Sequence, residues 1–183
     1  MRIISGTAGG FRLKTLSGPH TRPTTDKVKE ALFSKLSSYN MLVDAVVVDL
    51  FAGSGALGLE AASRGAKRVD FVEKNHAAAS IVQHNIDSVS HNVETELTLY
   101  EQSALSFLKT AQGSYDLMFI DPPYQEQNLK KYLEATTPLL ETHSLLVVER
   151  SVRSRELIIP NDLKVLEVKK YGETELVFLE LKV

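Results

Sequence analysis

The apolar positions of this chain follow two rhythms. From residue 46 onward, short runs of Val, Leu, Ile and Phe alternate with stretches in which apolar residues recur every three or four positions. The runs read as buried strands and the periodic stretches as helices. Strands are expected over 46–50, 68–73, 94–100, 116–120 and 145–149. Helices are expected over 57–64, ended by Gly65, and over 77–87, 104–110 and 127–140, with Pro138 near the end of the last. Two further runs, 164–170 and 175–181, are joined through Tyr171-Gly172 and read as a closing hairpin. Strands separated by helices imply right-handed crossovers and helices on both faces of the sheet. The expected fold class is therefore α/β: a mostly parallel, seven-stranded, Rossmann-like sheet with a C-terminal antiparallel hairpin.

The first forty residues have a different pattern. Residues 2–5 and 11–16 flank Gly6-Thr7-Ala8-Gly9-Gly10 and read as a hairpin. A loop with Gly18, Pro19 and Pro23 follows, and Thr24 or Thr25 offers an N-cap for a helix over 26–38. Val28, Ala31, Leu32 and Leu36 form its apolar face, with Lys27, Lys29 and Lys35 expected largely off that face. The expected organisation is an extension over 1–40 on a main body over 41–183, within a single compact domain.

Charge sharpens that division. The chain of 183 residues has a formal net charge of −2, which argues weakly against a polyanionic partner. Residues 1–40, however, hold seven Lys/Arg against Asp26 and Glu30, a balance of +5, and the remainder carries −7. Such asymmetry points to a basic arm facing nucleic acid. Arg12, Lys14, Arg22 and Lys27 are its candidate contacts, although Arg22 abuts Pro23 and can reach an active site instead of a phosphate. A 43% hydrophobic and 24% charged composition is that of an ordinary globular protein. Cysteine is absent, which excludes disulfides and thiolate metal sites. The five histidines show no metal-ligand spacing, and no metal is expected. No apolar run reaches bilayer length, so no membrane partner is expected and the cytosol is the default compartment.

Two motifs carry chemistry. Asp49-Leu50-Phe51-Ala52-Gly53-Ser54-Gly55-Ala56-Leu57-Gly58 follows the first strand and opens a helix, with G-x-G-x-x-G spacing, and Glu73 closes the second strand where an acid meets a ribose. Asp49 at the mouth of the loop repels a pyrophosphate and attracts a sulfonium or ammonium. At a few Å and an effective dielectric near 20, that choice of sign is worth several kcal/mol, on the order of Coulomb's law. The loop therefore fits S-adenosylmethionine better than a dinucleotide. The second motif, Asp121-Pro122-Pro123-Tyr124, ends the fourth strand. Its prolines stop the strand and stiffen the edge. The Asp121 carboxylate and the Pro122 carbonyl can accept the two hydrogens of an aromatic amine while Tyr124 stacks on its ring. If the first and fourth strands are neighbours, Asp49 and Asp121 face one crevice at a topological switch point.

These residues resemble a class I amino-methyltransferase. The segment Arg22-Pro23-Thr24-Thr25-Asp26-Lys27-Val28-Lys29-Glu30-Ala31-Leu32-Phe33, the opening Arg2-Ile3-Ile4-Ser5-Gly6 and the ending Tyr171-Gly172 narrow this to a resemblance, over nearly the whole chain, to the RsmD family. The resemblance implies S-adenosylmethionine-dependent methylation of the exocyclic N2 amine of one guanine in bacterial small-subunit (16S) rRNA. Asp49, Gly53 and Gly55 would hold the methionine part of the cofactor and Glu73 the ribose, with Phe51 also in the cofactor site, and Asp121, Pro122 and Tyr124 would hold the base. Ser103 stands before Ala104 where the family often has Asp or Asn, so it offers the cofactor's adenine an uncharged hydroxyl. The modest total charge suggests recognition of an assembled 30S particle, by a monomer. Competing readings are a DNA adenine or cytosine amino-methyltransferase, for which the length leaves no target-recognition domain, and a protein glutamine methyltransferase, which tends to carry Asn at position 121. A non-catalytic RNA-binding module on the same fold would not need Asp49, Glu73 and Asp121 intact. A nicotinamide oxidoreductase fails on the charge of Asp49.

Overall fold

The computed structural model describes residues 1–15, 26–123, 126 and 128–182. The alternation of apolar runs and periodic stretches is realised as a single seven-stranded sheet. Its strands are β1 (Val46–Asp49), β2 (Arg68–Val72), β3 (Glu96–Tyr100), β4 (Leu117–Ile120), β5 (Leu145–Ser151), β6 (Leu163–Tyr171) and β7 (Thr174–Leu181), in the spatial order β3-β2-β1-β4-β5-β7-β6. The first five are parallel, and β7 runs antiparallel between β5 and β6. Strand order reverses between β1 and β4, which is where open α/β sheets bind ligands.

The helices are α1 (Asp26–Ser38), α2 (Ala56–Ser63), α3 (His76–Val89), α4 (Ala104–Thr110) and α5 (Lys130–Thr136). Two apolar layers cover the sheet. Val47, Leu117, Phe119, Leu145 and Val147 point into one layer with residues of α1, α2 and α3. Val48, Met118, Ile120, Leu146 and Val148 point into the other with residues of α4 and α5. This alternation is the period of two along a strand.

Three expectations change. The helix over 127–140 is shorter: α5 gives way to a 3-10 turn over Thr137–Leu139 that contains Pro138, a residue that cannot donate to a continuing helix. The hairpin over 2–5 and 11–16 reduces, in the described part, to one bridge between Arg2 and Arg12, supported by Ile3 N–H to Phe11 O and Gly10 N–H to Ile3 O, both 2.9 Å. Leu16 and the Thr24/Thr25 cap lie outside the described residues. The third change concerns Lys29. It is not off the apolar face but fully buried, 3.5 Å from the equally buried Glu60 of α2, and its ammonium donates to the carbonyl of Arg2.

Glu60 explains how the N-terminal segment is held. Its carboxylate accepts the backbone N–H groups of Ile4 (2.6 Å) and Ser5 (3.1 Å) and the Nε–H of Arg64 (2.8 Å). Ser63, one turn on, accepts from Ala8 N–H and donates to Ser5 O. Asn85 of α3 accepts from Lys14 N–H and donates to Lys14 O and Ser54 O. Ile3, Ala8, Leu13, Leu32 and Phe33 join the apolar layer that covers β1 and β4. The extension is therefore packed on the sheet through one face of α2 and α3.

Candidate active site

The β1–α2 loop turns through left-handed backbone at Gly53 (φ 57°) and Gly55 (φ 78°), conformations that favour glycine. Gly58 serves packing instead: a Cβ there would lie 2.3 Å from the Phe71 ring, so only glycine lets α2 approach β2. Glu73, just past β2, bends over the loop. Its carboxylate accepts Gly53 N–H at 3.0 Å and Asn75 N–H at 2.8 Å. The acid and the glycine loop, twenty residues apart in sequence, thus form one rim.

Asp49 ends β1 beneath that rim and is 1% exposed. Its Oδ2 accepts Gly58 N–H at 3.2 Å, while Oδ1 is buried without a hydrogen-bond partner. Burial pushes its carboxyl up to about 7; the Gly58 and Phe51 N–H groups oppose the shift, and the charge of Glu73 adds to it. The Phe51 N–H acts on the carboxylate electrostatically, without the geometry that would satisfy Oδ1. A buried carboxylate with an unpaired oxygen, at the mouth of a glycine loop, is the donor set that a cationic group completes. The residues present therefore fit the cationic end of S-adenosylmethionine.

Across the switch point, Asp49 pairs in register with Phe119 of β4, and Asp121 follows two residues later. The first and fourth strands are neighbours, so the two acids share the carboxyl edge of the sheet. Asp121 is densely surrounded although part of its surface reaches solvent. Burial first, then the charges of Glu149 and Asp49, hold its carboxyl well above the ordinary range. Among the described residues, nothing donates a backbone hydrogen bond to the Pro122 carbonyl. The Pro123 carbonyl accepts Glu126 N–H at 2.8 Å, and Glu126 in turn holds Tyr132 Oη (2.8 Å) and Lys131 Nζ (3.1 Å). Phe51 packs edge-on against the Tyr132 ring, centroids 5.1 Å apart, so the glycine loop and the Pro-Pro segment share a support.

Ser103 has a structural role of its own. It caps α4, its Oγ accepting Ser106 N–H at 3.2 Å and lying 2.8 Å from Ser106 Oγ. Tyr124 and Arg22 lie outside the described residues. Arg12, Lys14 and Lys27 are exposed and form no ion pair among the described residues. The other basic residues of the arm that can be placed are neutralised: Arg2 by Asp26, Lys29 by Glu60 and Lys35 by Glu167. Glu149 escaped sequence reasoning, because an acid one step past an apolar run has no spacing signature. Together with Pro122 and Pro123 it lines a cleft of about 520 Å³ whose lining also includes Arg153, Arg155 and Ile158. Arg153 is paired with Glu173, and Arg150 lies 3.1 Å from Glu175 with its Nε–H poorly aligned on the carboxylate. No group of His, Asp or Glu among the described residues is arranged to hold a metal ion.

A sheet reversed between β1 and β4, a glycine loop with an acid on each side and an Asp-Pro-Pro edge define a class I S-adenosylmethionine-dependent methyltransferase fold. Solved structures agree: the Escherichia coli protein yhhF superposes with a TM-score of 0.84 at 30% identity, covering 100% of this chain and 98% of that one. A Thermus thermophilus protein gives 0.81 at 29% identity, covering 99% of each. The chain belongs to the RsmD family, whose model, described as Conserved hypothetical protein 95, matches residues 1–180. The Haemophilus influenzae relative named Ribosomal RNA small subunit methyltransferase D is 35% identical over 178 residues, covering 94% of this chain and 89% of the relative. The Escherichia coli K12 protein of the same name is 36% identical over 149 residues, covering 81% and 71%.

Proposed function

We propose that this protein methylates the exocyclic N2 amine of one guanine in small-subunit rRNA, with S-adenosylmethionine as donor, as a monomer in the bacterial cytoplasm and without a metal. The observation that carries this reading is the placement of Asp121-Pro122 beside Asp49 at the β1/β4 switch point. It is supported by the names of the 35–36% identical relatives, which act on small-subunit rRNA.

S-adenosylmethionine supplies, when bound, an electrophilic methyl carbon. The chain's own residues supply position and proton handling. An aromatic amine is a weak nucleophile because its lone pair is delocalised into the ring. Asp121 and the Pro122 carbonyl each accept one of its hydrogens and favour a pyramidal nitrogen with its lone pair directed at the cofactor, while Tyr124 stacks on the base. Such positioning accounts for much of the rate. The raised basicity of the Asp121 carboxylate suits it to take the proton that the amine sheds. The target base must be looped out or unstacked to reach this edge. Residues 1–40 form the RNA-contacting extension, through Arg12, Lys14, Arg22 and Lys27, on a methyltransferase body over 41–183. An assembled 30S particle is the preferred substrate, recognised by shape, because only a few arm charges are unneutralised.

The test is transfer of a labelled methyl group to 30S particles, naked 16S rRNA and DNA, followed by nucleoside analysis. Label in N2-methylguanosine, strongest with 30S, is expected. Label in methyladenine or methylcytosine of DNA would replace this reading with the DNA amino-methyltransferase, and no transfer to any substrate would leave a non-catalytic module.

A further inference from the structure

The Watson–Crick edge of guanine presents three hydrogens, two on N2 and one on N1. Asp121 and the Pro122 carbonyl account for the two on N2. The N1–H needs a third acceptor, because a buried donor left unpaired is costly.

The sheet supplies one. In the parallel pairing of β4 with β5, Ile120 lies opposite Val148, so the next position on each strand sets Asp121 beside Glu149. Side chains alternate between the two layers, and Asp49, Asp121 and Glu149 fall by that alternation on one side of the sheet, on three neighbouring strands. Glu149 is half-buried and shares the wall of the 520 Å³ cleft with Pro122 and Pro123. Its charge is felt at Asp121, as expected of two carboxyls on adjacent strands. Glu149 already takes part in an interaction within the protein. A carboxylate has about four lone-pair sites, so that interaction does not exhaust it.

We propose that Glu149 accepts the N1–H of the target guanine and is the residue that selects guanine over a base whose N1 carries a lone pair. This rests on the guanine-N2 reading given above. Adenine and 2-aminopurine both present an unprotonated N1, which a carboxylate repels. A site built to hydrogen-bond one edge rejects the analogue lacking that donor far more strongly than an apolar pocket rejects a missing methylene.

2-Aminopurine separates the two roles, because it keeps the N2 amine and lacks N1–H. The experiment compares kcat/KM on 30S particles reconstituted with guanine or 2-aminopurine at the mapped target position. Wild type is expected to prefer guanine by about 100-fold or more, and Glu149→Gln by less than about tenfold, since an amide can donate to the N1 lone pair. Glu149→Asp keeps the charge and is expected to keep the preference at a lower rate. S-adenosylhomocysteine binding within a few-fold of wild type reports that each variant is folded. A wild-type preference below about tenfold would overturn the proposal without any variant. So would a Glu149→Gln enzyme whose rates on both bases fall together, because Glu149 would then act only through Asp121. Failure of the underlying reading looks different: wild type would methylate neither base.

Discussion

Binding of S-adenosylmethionine should release a proton from Asp49, and the affinity should fall as the pH drops below 7. In the free protein the Asp49 carboxyl is raised from 3.8 to about 7, so near neutrality it is about half protonated. A cation about 4 Å from it, at an effective dielectric near 20, favours the carboxylate by about 4 kcal/mol. That is roughly three pKa units, enough to return Asp49 to the ordinary carboxylate range. The apparent Kd should therefore rise about tenfold between pH 8 and pH 6 by linkage, with close to one proton released at pH 6. The groups facing Asp49 are Glu73 and Asp121, both acidic. The measurement is titration calorimetry from pH 5.5 to 8.5 in two buffers of different ionisation enthalpy. Asp49→Asn keeps the ligand's own amine titration and should remove the rest of the pH dependence. Asp121→Asn should preserve it.

The same shift has a stability consequence of opposite sense. Between pH 4 and 7 the folded state binds more protons at Asp49 than the unfolded state does, so this group's contribution to stability falls as pH rises through that window. In the ligand-free protein at pH 8, Asp49→Asn should be the more stable form, by up to about 4 kcal/mol, while binding S-adenosylmethionine more weakly. A wild-type affinity that is flat from pH 6 to 8, or an Asp49→Asn variant with the wild-type slope, would refute the reasoning.

Asp121→Ala should abolish methyl transfer and leave S-adenosylhomocysteine affinity within a few-fold, measured by single-turnover kinetics and calorimetry; near wild-type turnover would remove Asp121 from the mechanism. Tyr124→Phe should retain activity and Tyr124→Ala lose it in the same assay, since stacking needs the ring and not the hydroxyl. Glu60→Ala should cost about 3–5 kcal/mol in urea unfolding, because it strands the buried Lys29 ammonium and the Ile4 and Ser5 N–H groups. Lys29→Met should cost less, because Glu60 keeps Arg64 and both N–H donors, and equal losses in the two variants would contradict that ordering. Replacing Arg12, Lys14 and Lys27 by Ala should weaken RNA binding and flatten its dependence on salt without changing cofactor affinity. An unchanged salt slope would put the RNA surface elsewhere.

The sheet was legible because its central strands β1, β4 and β5 hold continuous apolar runs, and parallel strands covered on both faces need just that. The turn after β1 was legible because glycine at 53 and 55 reports a backbone requirement directly. What the sequence hid was pairing at a distance. Lys29 sits among Lys27, Glu30 and Lys35 and reads as surface, and only the docking of α1 on α2 shows Glu60 beneath it. Glu60 itself lies at the centre of a polar knot tying Ile4, Ser5, Lys29 and Arg64, residues up to 56 positions from it. Glu149 was hidden for the same reason: its meaning comes from Asp121 on the next strand. Ser103 carries a second duty that the motif did not announce, since its hydroxyl caps α4.

These hidden pairings decide how the basic arm meets the chemistry. The helix that holds the arm is the one that begins at the cofactor loop: α2 starts just after Gly55 and carries Glu60 and Ser63, which bind residues 4, 5 and 8. Gly6 packs so tightly here, at φ 88°, that an added Cβ would lie 1.8 Å from the Ser63 carbonyl oxygen. At the other end, Asn85 bridges Lys14 to the carbonyl of Ser54, and the Ser54 hydroxyl lies 3.5 Å from the sulfur of Met1. The extension and the glycine loop are thus fastened to each other by the Asn85 bridge and the Ser54–Met1 contact as well as through an eight-residue helix. Phosphate contacts fix the register and orientation of a protein on nucleic acid without reading its sequence. The backbone at Arg12 and Lys14 is held on this support, so a phosphate bound there, as proposed, would constrain where a looped-out base can fall.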